Sequence, residues 1–470
     1  MPKKTTGFNI TFIVCVFGFL WWGFTAQKEA AQETAVKQIF DETLKNGKSY
    51  ADLEYLCKRI GGRLSGSPQA AAAVEWAKQT LERIPGINSS LQAVMVPHWE
   101  RTGKEEARII SKHIGWQPVN VCALGGSVST DKFGLTAPVV KINTLAELDK
   151  LGAKVVSGKI VYLDQAFDPT IINTFDAYSA CASNRFTGAS NAARYGAAAF
   201  VLRALASNTD HHPHTGSMRY EEGTVKIPAA AIATQDADVL VGLLDKDPNL
   251  MLHLKLHCQN YPDRLSYNVL GEIKGTQFPD EVIVVGAHLD SWDNGEGAHD
   301  DGAGSVQCIE VLRTLTNLQL RPKRTIRCVL FMNEENGAKG AQEYARWAAE
   351  NGEKCIAAIE SDRGGFTPRG FTLETSTDSL TQIRIATLRR YESLLKPYGL
   401  HYFEKGFSGV DVKYLLPNGT VCMGLVPDSQ RYFDYHHTPN DTFDKVNERE
   451  LKLGAASLTA LAYLIAENGW

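Results

Sequence analysis

The chain is poor in the features that mark specialised protein classes. It has nine cysteines in 470 residues, too few for a disulfide scaffold. No two stand as a CxxC pair, so there is no zinc-ribbon or thioredoxin-type signal. Neither sign of charge dominates: 49 Lys+Arg face 53 Asp+Glu, a formal net charge of −4. That balance argues against a nucleic-acid partner, which demands a basic excess. There is no internal repeat and no low-complexity tract. With 44% hydrophobic and 22% charged residues the composition is that of a globular protein, excluding a disordered chain and a polytopic membrane protein. At roughly 100–200 residues per domain, the length predicts two or three domains.

Residues 1–26 pair Lys3 and Lys4 with an apolar run from Ile10 to about Phe24. That is the layout of an export signal. The run approaches the roughly 20 residues that span a bilayer, so a membrane contact is expected only if the segment stays on as an anchor. A cut after Ala26 would put Phe24 where a small residue is preferred. Export predicts a secreted, periplasmic or luminal protein. Eight cysteines lie beyond the signal, an even number that permits disulfides without pairing them. Asn88, Asn418 and Asn440 begin glycan-acceptor patterns.

Residues 29–45, 51–60 and 70–84 read as helices, the last two separated by a Gly/Ser-rich loop. From about residue 125 to 260, short apolar runs alternate with Gly-, Asn- and Ser-rich stretches, which predicts a separate β-rich unit. Beyond it, apolar strand runs at 281–287, 325–332 and 356–361 alternate with helical periodicity at 305–318 and 341–350, and a closing helix is expected over 448–467. Apolar strands alternating with helices predict an α/β catalytic domain of three layers, with a mostly parallel central sheet covered by helices on both faces. The expected division is 27–124 with 261–470 as the catalytic part and 125–260 as an inserted unit.

Ligands of such sheets bind beyond the carboxyl ends of the strands. His288 and Asp290 sit at the first strand end. Asp300 and Asp301 lie in a glycine-rich turn before a helix, where helix capping is the plainer reading. Glu334 and Glu335 end the second strand, side by side, where like charges repel unless a cation or shared proton relieves them. Asp362 follows the third strand next to Arg363, as a metal ligand or half of an ion pair. His436 and His437 stand in a late loop. Each segment alone is weak. Together their imidazoles and carboxylates are the donor types zinc prefers. Such a set can hold two metals if one carboxylate bridges, a common device for hydrolysis, and one glutamate is left over as a general base.

The segments GAHLDS, HDDGAG, NEENG, ESD and HHTPNDT, in that order, resemble the bimetallic zinc peptidases that include bacterial leucyl aminopeptidases and glutamate carboxypeptidases. PHTG at 213–216 with Tyr220, and LDSWD at 289–293 with Gly295, look like one carboxypeptidase branch of that family. The resemblance implies two Zn²⁺ per chain. His288 and Asp362 would hold one ion, Glu335 and His437 the other, with Asp300 as the bridge. It implies Glu334 as general base, and Asp290 as the partner that fixes the imidazole of His288. His436 replaces the tyrosine usual before the last ligand and would stabilise the oxyanion. It also implies that 125–260 form a protease-associated cap, that small peptides or dipeptides are the substrates, and that the chain can form a homodimer. Three alternatives remain at this level: an aminopeptidase for longer peptides, a metal-free receptor-like binding protein, and a single-zinc acyl transferase like glutaminyl cyclase.

Overall fold

The structure, a computed structural model, describes the backbone of residues 10–470 and the side chains from Gln27 onward. The export segment expected at 1–26 lies outside the residues whose side chains are described. Among the described residues, no helix is long and apolar enough to cross a membrane.

Two eight-stranded sheets organise the chain. The first runs from edge to edge Ser89–Arg101, Cys258–Ile273, Arg324–Phe331, Phe278–His288, Lys354–Glu360, Val421–Pro427, Pro368–Glu374 and Tyr402–Lys405. Its centre is parallel, where Phe278–His288 pairs with both Arg324–Phe331 and Lys354–Glu360. Its flanks mix parallel and antiparallel pairs. The central strands read as unbroken apolar runs because both faces are covered. Ile283, Val285, Ile326, Leu330 and Ile359 face a core shared with the helices Ala303–Asn317 and Glu448–Asn468. Val284, Val329 and Ala358 face the helix Lys339–Glu350 and the turn Val412–Asn418.

Local sequence starts these helices where they are needed. Asn447 caps Glu448–Asn468 by accepting from the backbone N–H groups of Arg449 and Glu450. Ser67 caps Pro68–Glu82, and the proline occupies the first helical turn, where a missing N–H costs nothing. The expected three-layer catalytic unit is thus present.

The second sheet runs Gly115–Val119, Glu106–Ser111, Met251–Lys255, Leu135–Ile142, Ile160–Leu163, Ala199–Arg203, Ala229–Ile232 and Val121–Ala123. The helices Glu147–Val156, Thr174–Arg194 and Thr234–Leu244 accompany it. This is the separate β-rich unit, with more helix than the short apolar runs betray. Its strands begin at Glu106, ahead of the change in texture near residue 125, because the run 106–111 carries no compositional break. Two long antiparallel strands, Ser89–Arg101 and Cys258–Ile273, carry the chain out of the first sheet and back. An aromatic cluster joins the two units: Phe167, Phe175 and Tyr178 pack against Phe366, Tyr432, Phe433 and Tyr435. All eight cysteines from Cys57 to Cys422 are buried free thiols.

One glycine fixes how the first sheet meets its main helix. A Cβ at Gly304 would lie 1.8 Å from the carbonyl oxygen of Ser361, so the helix start and the strand end beside Asp362 touch backbone to backbone. Gly304→Ala should therefore lower the melting temperature by about 3–10 °C, the range expected for overpacking a rigid contact. A melt indistinguishable from the parent would contradict that contact.

Candidate metal centre

Parallel register sets the site. His288 is paired with Phe331, and Gly286 with Glu360, so the segments that follow these strands emerge side by side. Glu334 and Glu335 leave one strand, Asp362 the next, and the loop carrying Asp300 returns over them.

The two ligand-type histidines are oriented alike. His288 places Nδ1 3.0 Å from the carbonyl oxygen of Asp290. Its Nε2 then lies 3.2 Å from Asp300 Oδ1 and 3.5 Å from Asp362 Oδ1. His437 places Nδ1 3.2 Å from the carbonyl oxygen of Thr215. Its Nε2 lies 3.2 Å from Asp300 Oδ2 and 3.1 Å from Glu335 Oε2. A carbonyl on Nδ1 fixes each ring as the Nδ1–H tautomer and leaves Nε2 as the donor atom toward the centre. The two oxygens of Asp300 are thereby divided, one to each half of the site.

Asp300 is held for this by its backbone. The Asp441 carboxylate accepts from the N–H of His299 at 2.7 Å and of Asp300 at 3.1 Å. Asp300 Oδ2 is buried facing the ring nitrogens of His437 and His436, at 3.2 and 3.7 Å, and a buried carboxylate there needs a cation or a proton. Asp301 is engaged differently: its oxygens accept from the N–H groups of His288 and Gly304.

These residues fit zinc. Ligands about 2.0–2.1 Å from a tetrahedral ion lie about 3.4 Å from one another. The donor atoms around each end of Asp300 are 3.1–3.5 Å apart. The donor atoms of His288, Asp300 and Glu335, and those of His288, Asp301 and Asp362, also fall within 4.8 Å of one another. Two His/Asp/Glu clusters are thus positioned to chelate metal ions.

Electrostatics agrees with the geometry. Burial alone would lower the imidazole of His437, but the Glu335 and Asp300 carboxylates outweigh it and raise it to about 10. Burial and the nearby Asp300 raise Glu335 to about 7. Burial, with Asp362, Glu335 and Asp300 around it, pushes Glu334 well above its ordinary value, although His288 opposes the shift. Glu334 accepts at its backbone carbonyl from the N–H of Gly337, but its carboxylate accepts no hydrogen bond from the described residues. Burial and the neighbouring His437 hold His436 well below its ordinary value, so its ring is neutral near pH 7. That ring stacks on His437 at 3.5 Å between centroids and places Nε2 3.7 Å from Asp300 Oδ2.

Asp290 does something other than expected. Its carboxylate is 3.8 Å from the ring of His288, which its own backbone carbonyl holds instead. The carboxylate accepts from the N–H groups of Asn333 and Glu334, at 2.8 and 3.1 Å, and so fixes the turn that presents Glu334 and Glu335.

Sequence reading also missed supports from far along the chain. Arg63 is fully buried and donates to the carbonyls of Leu289, Glu296 and Gly297. The N–H of Trp292 donates to Glu335 Oε1 at 3.1 Å, and Asn294 Nδ2 to the carbonyl of His437 at 2.9 Å. Trp292 had been noted only as part of a motif. Nothing local marks Arg63, because its partners lie more than 220 residues away.

Comparison with known proteins agrees with this architecture. The model of peptidase family M28 matches residues 268–462. Carboxypeptidase Q of Bos taurus is 34% identical over 420 residues, covering 89% of this chain and 85% of the bovine one. Carboxypeptidase Q of Homo sapiens is 33% identical over the same length, with 89% and 85% covered. The crystal structure of a peptidase M28 precursor from Shewanella amazonensis superposes with a TM-score of 0.88 at 35% identity, covering 94% of this chain and 98% of that one. The chain belongs to peptidase family M28. A zinc aminopeptidase from Bacillus subtilis shares the fold, with a TM-score of 0.64 at 19% identity and coverage of 91% and 97%. This M28 protein is a metallopeptidase with a two-metal centre and peptides as its substrates.

Metal uptake must displace the protons that hold the centre together without it. With His437 raised to about 10, its proton is present at pH 7, so zinc binding should release protons and weaken as pH falls. Calorimetric titration of zinc into stripped protein, in two pH 7 buffers of different ionisation enthalpy, should report net proton release. Heats independent of buffer would contradict this.

Proposed function

We propose that the protein is an exported zinc-dependent exopeptidase of small peptides, with His288 and Asp362 on one ion, Glu335 and His437 on the other, and Asp300 between them. The division of the two Asp300 oxygens between His288 Nε2 and His437 Nε2 carries this reading. Two divalent cations held there would supply Lewis acidity toward a water and the scissile carbonyl.

The remaining chemistry falls to side chains. Glu334 has a carboxylate beside the cluster that accepts no hydrogen bond from the described residues, which suits a general base. It would take a proton from the attacking water and deliver it to the leaving amine nitrogen. His436, neutral and packed on His437, would donate Nε2–H to the carbonyl oxygen as negative charge develops there. Asp290 is a positioning residue, acting through the backbone of 333–335.

The unit built on the second sheet would act as a cap. Its Thr215 carbonyl orients His437, and its aromatic residues pack on Tyr432 and Phe433. A cap packed against the centre in this way would favour short peptides over folded chains. The branch motifs and the carboxypeptidase Q relatives favour cleavage beside a free C-terminus. The charged start and apolar run of residues 1–26 support export, by signal or anchor.

The direct test is Glu334→Gln, which keeps size and hydrogen-bonding capacity but cannot take a proton. It should retain both zinc ions by elemental analysis and lose about 10²–10⁴-fold in kcat. Near-parental turnover would remove Glu334 from the base role.

A further inference from the structure

The two halves of the metal centre are not built alike. Among the described residues, every side-chain hydrogen bond and ion pair of His288 goes to Asp290, Asp300 or Asp362, all on the catalytic unit. The other half is held from both units. Thr215, on the second unit, grips His437 with its whole backbone: its carbonyl accepts from Nδ1 at 3.2 Å, and its N–H donates to the carbonyl of His437 at 3.0 Å. From the catalytic unit, the loop 289–297 supports both ligands. The N–H of Trp292 donates to Glu335 Oε1 at 3.1 Å, and Asn294 Nδ2 donates to the carbonyl of His437 at 2.9 Å.

One side chain joins these two supports. Arg101 ends the strand Ser89–Arg101, where the chain leaves the first sheet, and it pairs with Cys258, where the chain returns. Its side chain is 10% exposed. Nε donates to both carboxylate oxygens of Asp293, at 3.1 and 3.0 Å, in the middle of the loop 289–297. Nη2 donates to Thr215 Oγ1 at 3.1 Å, and that hydroxyl donates on to the carbonyl of Ala123 at 2.7 Å. Nη1 donates to the same carbonyl. The guanidinium lies 5.0 Å from the ring centroid of Trp99 and 6.0 Å from that of Trp292. Trp292 is itself seated in the second unit. Its ring belongs to that unit's core, and a Cβ at Gly125 would lie 1.9 Å from it.

A guanidinium presents five donors in a rigid plane. One arginine can therefore fix a carboxylate on one unit and a hydroxyl and a carbonyl on the other at a set angle. Its bonds to the carboxylate are charge-assisted and about twice as strong as neutral ones. Units within one chain move relative to each other unless something ties them. Groups that orient a metal ligand from behind govern how tightly the metal is held.

We propose that Arg101 is a positioning residue that latches the second unit to the loop 289–297 and so sets the affinity of the ion at Glu335 and His437, while the ion at His288 and Asp362 is held by the catalytic unit alone. This rests on the two-zinc reading and deepens it. The two metals then differ in how they are lost. Movement of the second unit away from the centre loosens His437 and releases that ion first.

The test titrates zinc into the stripped protein against a chromophoric chelator, which reads both affinities without turnover. The parent should take up two ions per chain. Arg101→Gln should bind one ion with parental affinity and the other about 10–100-fold more weakly. Thr215→Val, which deletes the hydroxyl that the arginine holds and keeps the carbonyl, should weaken the same ion by less, and it carries the test if the glutamine variant fails to fold. Activity of either variant should fall at limiting zinc and recover in excess zinc, a rescue that a damaged fold would not show. On a His437→Gln background, which leaves the ion at His288 and Asp362, adding the arginine or the threonine substitution should change the remaining affinity little. Parental affinities for both ions in the folded variants would overturn the latch, as would equal weakening of the two. A parent that takes up fewer than two ions is a different result: it contradicts the two-zinc reading itself, and the latch falls with it.

Discussion

The arrangement depends on one carboxylate shared between two imidazoles. Asp300 turns one oxygen to His288 and the other to His437, and Asp362, Glu335 and Glu334 crowd around it. In a buried site the mutual repulsion of these acids has no remedy except protons or cations. Without metal, protons serve, which is why the carboxyl groups of Glu334 and Glu335 and the imidazole of His437 are all pushed upward. Two divalent cations would replace those protons and cancel the charge of the four acids. The same compression that makes the cluster unstable alone makes it selective for a pair of cations.

Much of the fold exists to hold that carboxylate and its neighbours still. Asp441 grips the backbone at 299–300, Asp290 grips 333–334, and Arg63 ties the loop 289–297 through three carbonyls. Charged groups satisfied by backbone are stiff supports, because neither partner can rotate away. The second unit takes part as well, since the Thr215 carbonyl sets the tautomer of His437. The second unit is therefore a structural member of the centre.

Legibility followed the range of the interactions. His288, Glu334, Glu335 and Asp362 were readable because each closes an apolar strand run, and a parallel sheet brings such ends together. The three-layer architecture was readable for the same reason. The resemblance implied Asp300 rather than Asp301 as the bridge, and a physical ground appears only in space: the oxygens of Asp301 are occupied by backbone donors, whereas those of Asp300 face the imidazoles of His288 and His437. Asp290 was placed in the right neighbourhood but tied to the wrong atoms. Arg63 was invisible, since the carbonyls it ties at 289–297 lie more than 220 residues away. The start of the second sheet at Glu106 escaped notice because an alternating strand has the same composition in either unit. The full donor set converges, which is the condition that a metal-free binding relative would lack.

The central claim is that two zinc ions share Asp300. X-ray absorption at the zinc edge of the fully loaded protein measures it most directly. The account predicts nitrogen and oxygen neighbours at about 2.0–2.1 Å and a second zinc at about 3.5–4 Å. A saturated protein whose zinc has no metal neighbour in that range, or whose first shell contains sulfur, would contradict it.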